Sequence, residues 1–189
     1  MDIMRLHRTA VENFAEKVAQ VSADQWDQPT PCTEWDVRAL VNHVVNEERW
    51  VKPLVDGKTI EEVGTSLDGD LLGDDPAGAA AAAAEEAASA FDEGVPRNVM
   101  VHLSFGETHV DEYATQMGAD HLIHGWDLAA AAGLDRTLDP ELVSVVTAWF
   151  APQEEAWRAG GAIGPRLDSG GDPQSDLLAA FGRDANWSA

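Results

Sequence analysis

The chain has 189 residues, 44% of them apolar, with Lys and Arg totalling 12, Asp and Glu totalling 34, and a formal net charge of −22. That length predicts one domain, and the apolar share together with seven tryptophans argues for a packed core rather than disorder. The acidity excludes a nucleic-acid binder that neutralises phosphates with clustered cations, and equally a protein drawn to anionic membrane surfaces.

The first ten residues hold Asp2, Arg5, His7 and Arg8 and no continuous apolar run, so no secretory signal is expected. From Ile3 to Val21, apolar residues recur as Ile3, Leu6, Ala10, Phe14, Val18 and Val21, the spacing of an amphipathic helix. Ser22 to Pro31, with two prolines, predicts a loop. Thr33 is the expected N-cap of a second helix running to about Leu54, with Glu34 and Asp36 in its first turn. Its apolar stripe is Val37, Leu40, Val41, Val44 and Val51. Residues 56–75 carry seven acidic side chains and one basic, and predict a solvated, partly mobile acidic connector. Ala77 to Phe91 is alanine-rich and predicts a third helix.

Val99 to Phe105 fits a short extended piece. Val110 to about Ala132 predicts a fourth helix stopped by Gly133. Asp139-Pro140 opens a fifth, expected to run to about Ala159. Residues 160–189 form a tail whose apolar run, Leu177 to Phe181, is expected to dock on the bundle. The fold class is all-α: a four-helix bundle with one additional helix and short extended segments, in a single domain over residues 1–189. No run of about eighteen apolar residues suggests a membrane span. A single cysteine, Cys32, rules out a disulfide framework and a multi-cysteine zinc site, and a cytoplasmic protein is expected.

The residues that can carry chemistry cluster on the fourth helix. At about 100° per residue, Tyr113, Gln116, Met117, Asp120, His124 and Asp127 share one face. Asp120 and His124 stand one turn apart, so their side chains can converge on a divalent ion such as Zn²⁺, which accepts both nitrogen and oxygen; the same spacing also makes an ordinary surface pair. Asp127, nearly a turn further on, can accept the other ring proton of a ligating imidazole. His43, at the edge of the second helix's stripe, is either a hydrogen-bonded core residue or a third ligand from a facing helix. Three protein ligands leave an open position, the arrangement of a catalytic rather than a structural metal. Glu47 is a fourth ligand, a general base or a solvated charge.

His7 reads as structural. His121 points about 100° away from Asp120 and should stand apart from the site. His102 and His109 fall in or near a loop. Cys32 lies near the positive end of the second helix, where a thiol can become reactive, although a buried inert cysteine fits equally. Trp35, Trp50 and Trp126 are either pocket walls or bundle core. If the substrate is an acid, Arg38, Arg49 and Arg97 are the nearest cations. No nucleophile elbow, P-loop, dinucleotide fingerprint or H-E-x-x-H occurs.

The run Thr30-Pro31-Cys32-Thr33-Glu34-Trp35-Asp36-Val37, followed by Leu40 and His43, resembles the entry to the second helix of DinB-like proteins of the mycothiol-dependent maleylpyruvate isomerase type. Asp120-His121-Leu122-Ile123-His124-Gly125-Trp126-Asp127-Leu128-Ala129 resembles that group's fourth-helix motif, and Gly182-Arg183-Asp184 the closing segment of an actinobacterial metal-binding subfamily. The resemblance implies a DinB-like bundle holding one divalent metal, with His43, Asp120 and His124 as ligands. Those isomerases tend to carry glutamate where this chain has Asp120, and they have a further C-terminal domain for which this length leaves no room.

Two metal-using functions follow, beside a third reading as a plain helical interaction domain without metal. One is an enzyme in which a metal (zinc first, nickel or another divalent ion otherwise) activates a low-molecular-weight thiol such as mycothiol toward a small electrophile, giving isomerisation or S-transfer. The other is a non-catalytic metal-binding or stress-related protein using the same site, closed by Glu47 or by a histidine of a second copy in a homodimer. Small molecules are the expected partners, not nucleic acid or membrane.

Overall fold

Four segments become long helices: three bury one apolar face against neighbours, and the longest, over residues 110–132, is buried on nearly every side. In chain order the computed structural model has α1 (Ile3–Val18), α2 (Val37–Val55), a single-turn α3 (Ile60–Val63), α4 (Pro76–Gly94), a hairpin of β1 (Met100–Leu103) and β2 (Gly106–His109), α5 (Val110–Ala132), α6 (Pro140–Phe150), α7 (Glu154–Ala159) and α8 (Pro173–Ala180). The structure describes residues 3–188, residues 3 and 4 by backbone alone. Met1, Asp2 and the place of the Ile3 side chain on the apolar stripe therefore lie outside the described residues.

The long helices form a DinB-like four-helix bundle. α1 packs on α4 and α5, and α2 packs on the same two, so α1 and α2 stand on opposite corners. Gly118 allows α1 and α5 their close approach, since a Cβ there would lie 2.9 Å from Leu6 Cγ and 3.3 Å from the His7 backbone. Alanines 80, 83, 84, 87 and 88 are buried along α4, giving an alanine-rich helix a packing role. A second apolar cluster lies outside the bundle, where Leu142, Val146 and Phe150 of α6 and Leu177, Leu178 and Phe181 at α8 close over Trp126 of α5. Among the described residues, no helix is long and apolar enough to cross a membrane.

Several local expectations are corrected. α2 is capped by Asp36, not Thr33: the Asp36 carboxylate accepts the Ala39 N–H at 2.8 Å. Thr33 instead sits in a turn tied by Thr30, whose hydroxyl donates to the Trp35 carbonyl at 2.8 Å and accepts the Cys32 N–H at 3.1 Å. The fifth expected helix breaks into α6 and α7 at Pro152, whose ring removes a backbone donor and disfavours helix for Ala151 beyond the turn. The extended piece acquires a partner strand, antiparallel with Val101 opposite Thr108. His102 and His109 are thus strand residues, the latter leading directly into α5. The acidic stretch before α4 is tied along α2: Asn42 donates to Gly69 O at 3.0 Å and accepts from Leu71 N at 2.8 Å, while Asn46 donates to Leu67 O at 2.7 Å. Val63 and Leu72 are buried beneath it.

Candidate metal centre

The groove between α2 and α5 brings polar side chains together. One ligating atom from each of His43, Asp120 and His124 lies within 4.8 Å of the others. His124 Nε2 is 3.4 Å from Asp120 Oδ1, and the His43 and His124 rings meet edge-on with centroids 5.2 Å apart. Trp35, delivered by the turn before α2, lies over His43 with ring centroids 4.5 Å apart. The Asp120 side chain is a third exposed, yet its Oδ2 is sealed off with no hydrogen-bond partner among the described residues, its nearest charge being His121 Nδ1 at 4.0 Å. A buried carboxylate oxygen left unpaired is costly, and it is well suited to a cation. Two imidazoles and a carboxylate are a donor set that zinc and its neighbours accept.

On its other edge, His124 places Nδ1 3.0 Å from Asp127 Oδ2. Both ring nitrogens face ionised carboxylates, which only accept, so without a metal His124 is held protonated at Nδ1 and Nε2; a cation at the centre would take the place of the Nε2 proton while Nδ1 stays the donor to Asp127. Asp127 is fully buried and is clasped by Arg183, whose Nη2 donates to Oδ2 at 2.9 Å and whose Nε donates to Oδ1 at 3.2 Å. Cys32 completes this layer. Its thiol donates to Asp127 Oδ2 at 3.3 Å, lies 3.9 Å from His124 Nδ1, and receives Arg183 Nη2 at 3.1 Å. Cys32, His124 and Asp127 also converge closely enough for a metal. There, however, the guanidinium already supplies positive charge to two of the three, whereas Asp120 Oδ2 has no such partner.

The charges follow from these contacts. Burial pushes His43 down to about 4, against the pull of Asp120, so its ring is neutral at neutral pH. Burial alone would raise Asp120, but the imidazoles of His124, His121 and His43 outweigh it and hold the carboxyl below its ordinary range. Burial likewise opposes a charge on His124, and Asp120, Asp127 and Cys32 together hold it well above its usual value. Glu47 is pushed up to about 7 by burial, with the Asp120 charge adding to it.

Two cavities meet at Asp120. One, of about 570 Å³, is lined by Cys32, Trp35, His43, His124 and Arg183. The other, of about 310 Å³, is lined by Glu47, Trp50, Tyr113, Met117 and Trp149. Trp157 and Phe181 line both. Of the three tryptophans proposed as walls, Trp35 and Trp50 reach a cavity. Trp126 is only 1% exposed in the apolar cluster under α6 and α8, because six residues of helix turn it to the far side of α5 from Asp120. His121 does stand apart from the convergent trio, its Nε2 paired with buried Glu48, to which His7 also points at 3.4 Å.

None of Arg38, Arg49 and Arg97 lines either cavity. Arg38 pairs with Asp70, Arg49 with Glu86, and Arg97 bonds the Glu93 carbonyl. The cation beside the centre is Arg183. The Gly182-Arg183-Asp184 run was its one visible signal, and nothing in local spacing aims it at Asp127.

The chain belongs to the mycothiol maleylpyruvate isomerase N-terminal domain family, whose family model matches residues 7–129 and so spans His43, Asp120 and His124. Two uncharacterized proteins of Mycobacterium tuberculosis, from strains CDC 1551 and H37Rv, are each 32% identical over 180 residues, covering 93% of this chain and 87% of theirs. The fold is similar to the crystal structure of the mycothiol-dependent maleylpyruvate isomerase, with a TM-score of 0.65 at 17% identity over 92% of this chain and 76% of that one.

Proposed function

We propose that this protein binds one divalent metal ion, zinc before nickel, through His43, Asp120 and His124, and uses it to activate a low-molecular-weight thiol such as mycothiol in an isomerisation or S-transfer. The observation that carries the reading is the convergence of three donors from two helices beside an Asp120 oxygen that is buried and without a hydrogen bond among the described residues. A cation bound there would stabilise the thiolate of a coordinated thiol, the form that attacks an electrophile.

The chain's own groups divide the remaining work. Asp127 accepts the hydrogen bond of His124 Nδ1–H and fixes the ring so that Nε2 faces the centre. Arg183 balances Asp127 and closes that side of the groove. Glu47 lines the smaller cavity beside Asp120, with no hydrogen-bond partner among the described residues, and is placed to take up the thiol proton. Trp35 covers His43 and limits water on that side. Addition of the sulfur, rotation and elimination would interconvert cis and trans isomers; addition without elimination would leave the sulfur on the electrophile.

Elemental analysis of the purified protein beside its His43→Ala and His124→Ala variants tests the reading. About one metal per chain in the parent and a loss of most of it in both variants is expected. Full occupancy in either variant would remove the proposed ligand set. Thiol-dependent turnover of an electrophile by the metal-loaded parent, absent from the variants, is the expected functional counterpart.

A further inference from the structure

The smaller of the two cavities has a chemical bias independent of the metal ligands around it. Its walls are broad and mostly apolar, with Trp50, Leu54, Met117, Trp149 and Trp157 beside the Tyr113 ring; Ser104 and Gln116 also line it, the Gln116 amide donating to Glu112. Among the described residues no lysine, arginine or histidine lines it, and its carboxylates are Glu47 and Asp120. Phe105, 69% exposed at the turn of the hairpin, extends the apolar wall at its rim. Arg183 lies in the other cavity, with its donors committed to Asp127, Cys32 and the Phe181 carbonyl.

We infer that this chamber receives an uncharged, planar, apolar electrophile and turns away carboxylates. Flat aromatic walls favour a conjugated or aromatic body through stacking and area burial. A carboxylate in the same place would be desolvated beside the Asp120 charge, and beside that of Glu47 wherever it is ionised, with no lining side-chain cation to meet it. A dicarboxylate such as maleylpyruvate fits worst, because one cation at the centre could meet only one of its two charges. The assignment rests on the function proposed above for its choice of electrophile as occupant. The chamber and the larger cavity share Asp120, Trp157 and Phe181, so an electrophile here and a thiol there would meet along that common wall, beside the centre.

The test uses two molecules of nearly the same shape, a chloronitrobenzamide and the matching chloronitrobenzoate. Binding is followed by calorimetry and by quenching of tryptophan fluorescence, on metal-loaded and on metal-stripped protein. The amide should bind at least about tenfold more tightly than the benzoate, the cost of an unmatched charge at such a wall. Trp50→Leu should weaken amide binding several-fold, and Glu47→Gln should narrow the gap between the two probes by improving the benzoate. Benzoate binding as tight as amide binding, or no amide binding to metal-loaded protein, would overturn the inference while leaving the metal reading intact. Amide preference in a protein that takes up no metal would support the chamber and overturn the metal reading instead.

Discussion

Two carboxylates hold His124 from opposite edges of its ring: Asp120 faces Nε2, and Asp127 accepts the hydrogen bond of Nδ1–H. The second contact sets the first: with Nδ1 held as donor to Asp127, a cation that displaces the Nε2 proton would find its lone pair there. Asp127→Asn keeps the shape but weakens the acceptor and strips Arg183 of its counter-charge. Metal affinity should fall by about 10- to 100-fold, read by competition with a chelator. Stability should fall by about 2–3 kcal/mol in denaturant titration, less than for a fully buried pair because Arg183 can still reach water. Unchanged affinity would mean that His124 is oriented by packing alone. The Asp120 and His124 pairing was legible from one turn of helix, and so was the reach of Asp127 to the ring's other edge. Arg183 was not: it is 56 residues from Asp127, and its arrival depends on how α6 to α8 fold back.

Elements must hold α1, α2 and α5 in register for a centre shared by two of them, and a buried ionic cluster sits where all three meet. Glu48 of α2 pairs with His121 of α5, and His7 of α1 points at the same carboxylate from 3.4 Å. Glu48 is 2% exposed, its other oxygen unpaired. Burial opposes a charge on Glu48, but His121 and then His7 outweigh it and hold the carboxyl below its ordinary 4.5. Burial likewise opposes a charge on His121, and Glu48 overrides it, holding the imidazole above its ordinary 6.5.

The sign follows for each. Glu48 contributes stability above pH 4.5 that is lost as pH falls through its lowered folded value; His121 contributes stability below pH 6.5 that is lost as pH rises through its raised folded value. The difference in melting temperature between the parent and a Glu48→Gln, His121→Gln double variant should therefore be largest between those two values and shrink on both sides. A difference flat in pH would show that the pair acts by shape alone.

At this scale periodicity located the long helices well, because their stripes are sustained over many turns. It failed where one residue decides. Pro152 stops a helix whose apolar pattern continues, and the second hairpin strand, Gly106 to His109, has no apolar alternation to show. The arrival of His43 opposite Asp120 is set by which helices neighbour each other in the bundle, which no single stripe encodes.

For the whole molecule the governing quantity is a formal net charge of −22. Exposed pairs such as Arg8 with Asp92, Arg38 with Asp70 and Lys52 with Asp56 are favourable locally, but 34 acidic residues against 12 basic leave most carboxylates without one. Such pairs contribute little each, at most about 1 kcal/mol, and salt screens them. Repulsion among the surplus carboxylates is screened by the same salt, over a Debye length that falls from about 30 Å at ~0.01 M to about 8 Å at ~0.15 M. The two effects have opposite signs, and the surplus is the larger population, so added sodium chloride should raise the melting temperature across that range. A fall would mean that the scattered pairs outweigh the repulsion. A chloride-specific effect is separated by repeating the series with sodium acetate, since screening depends on ionic strength and not on the identity of the anion.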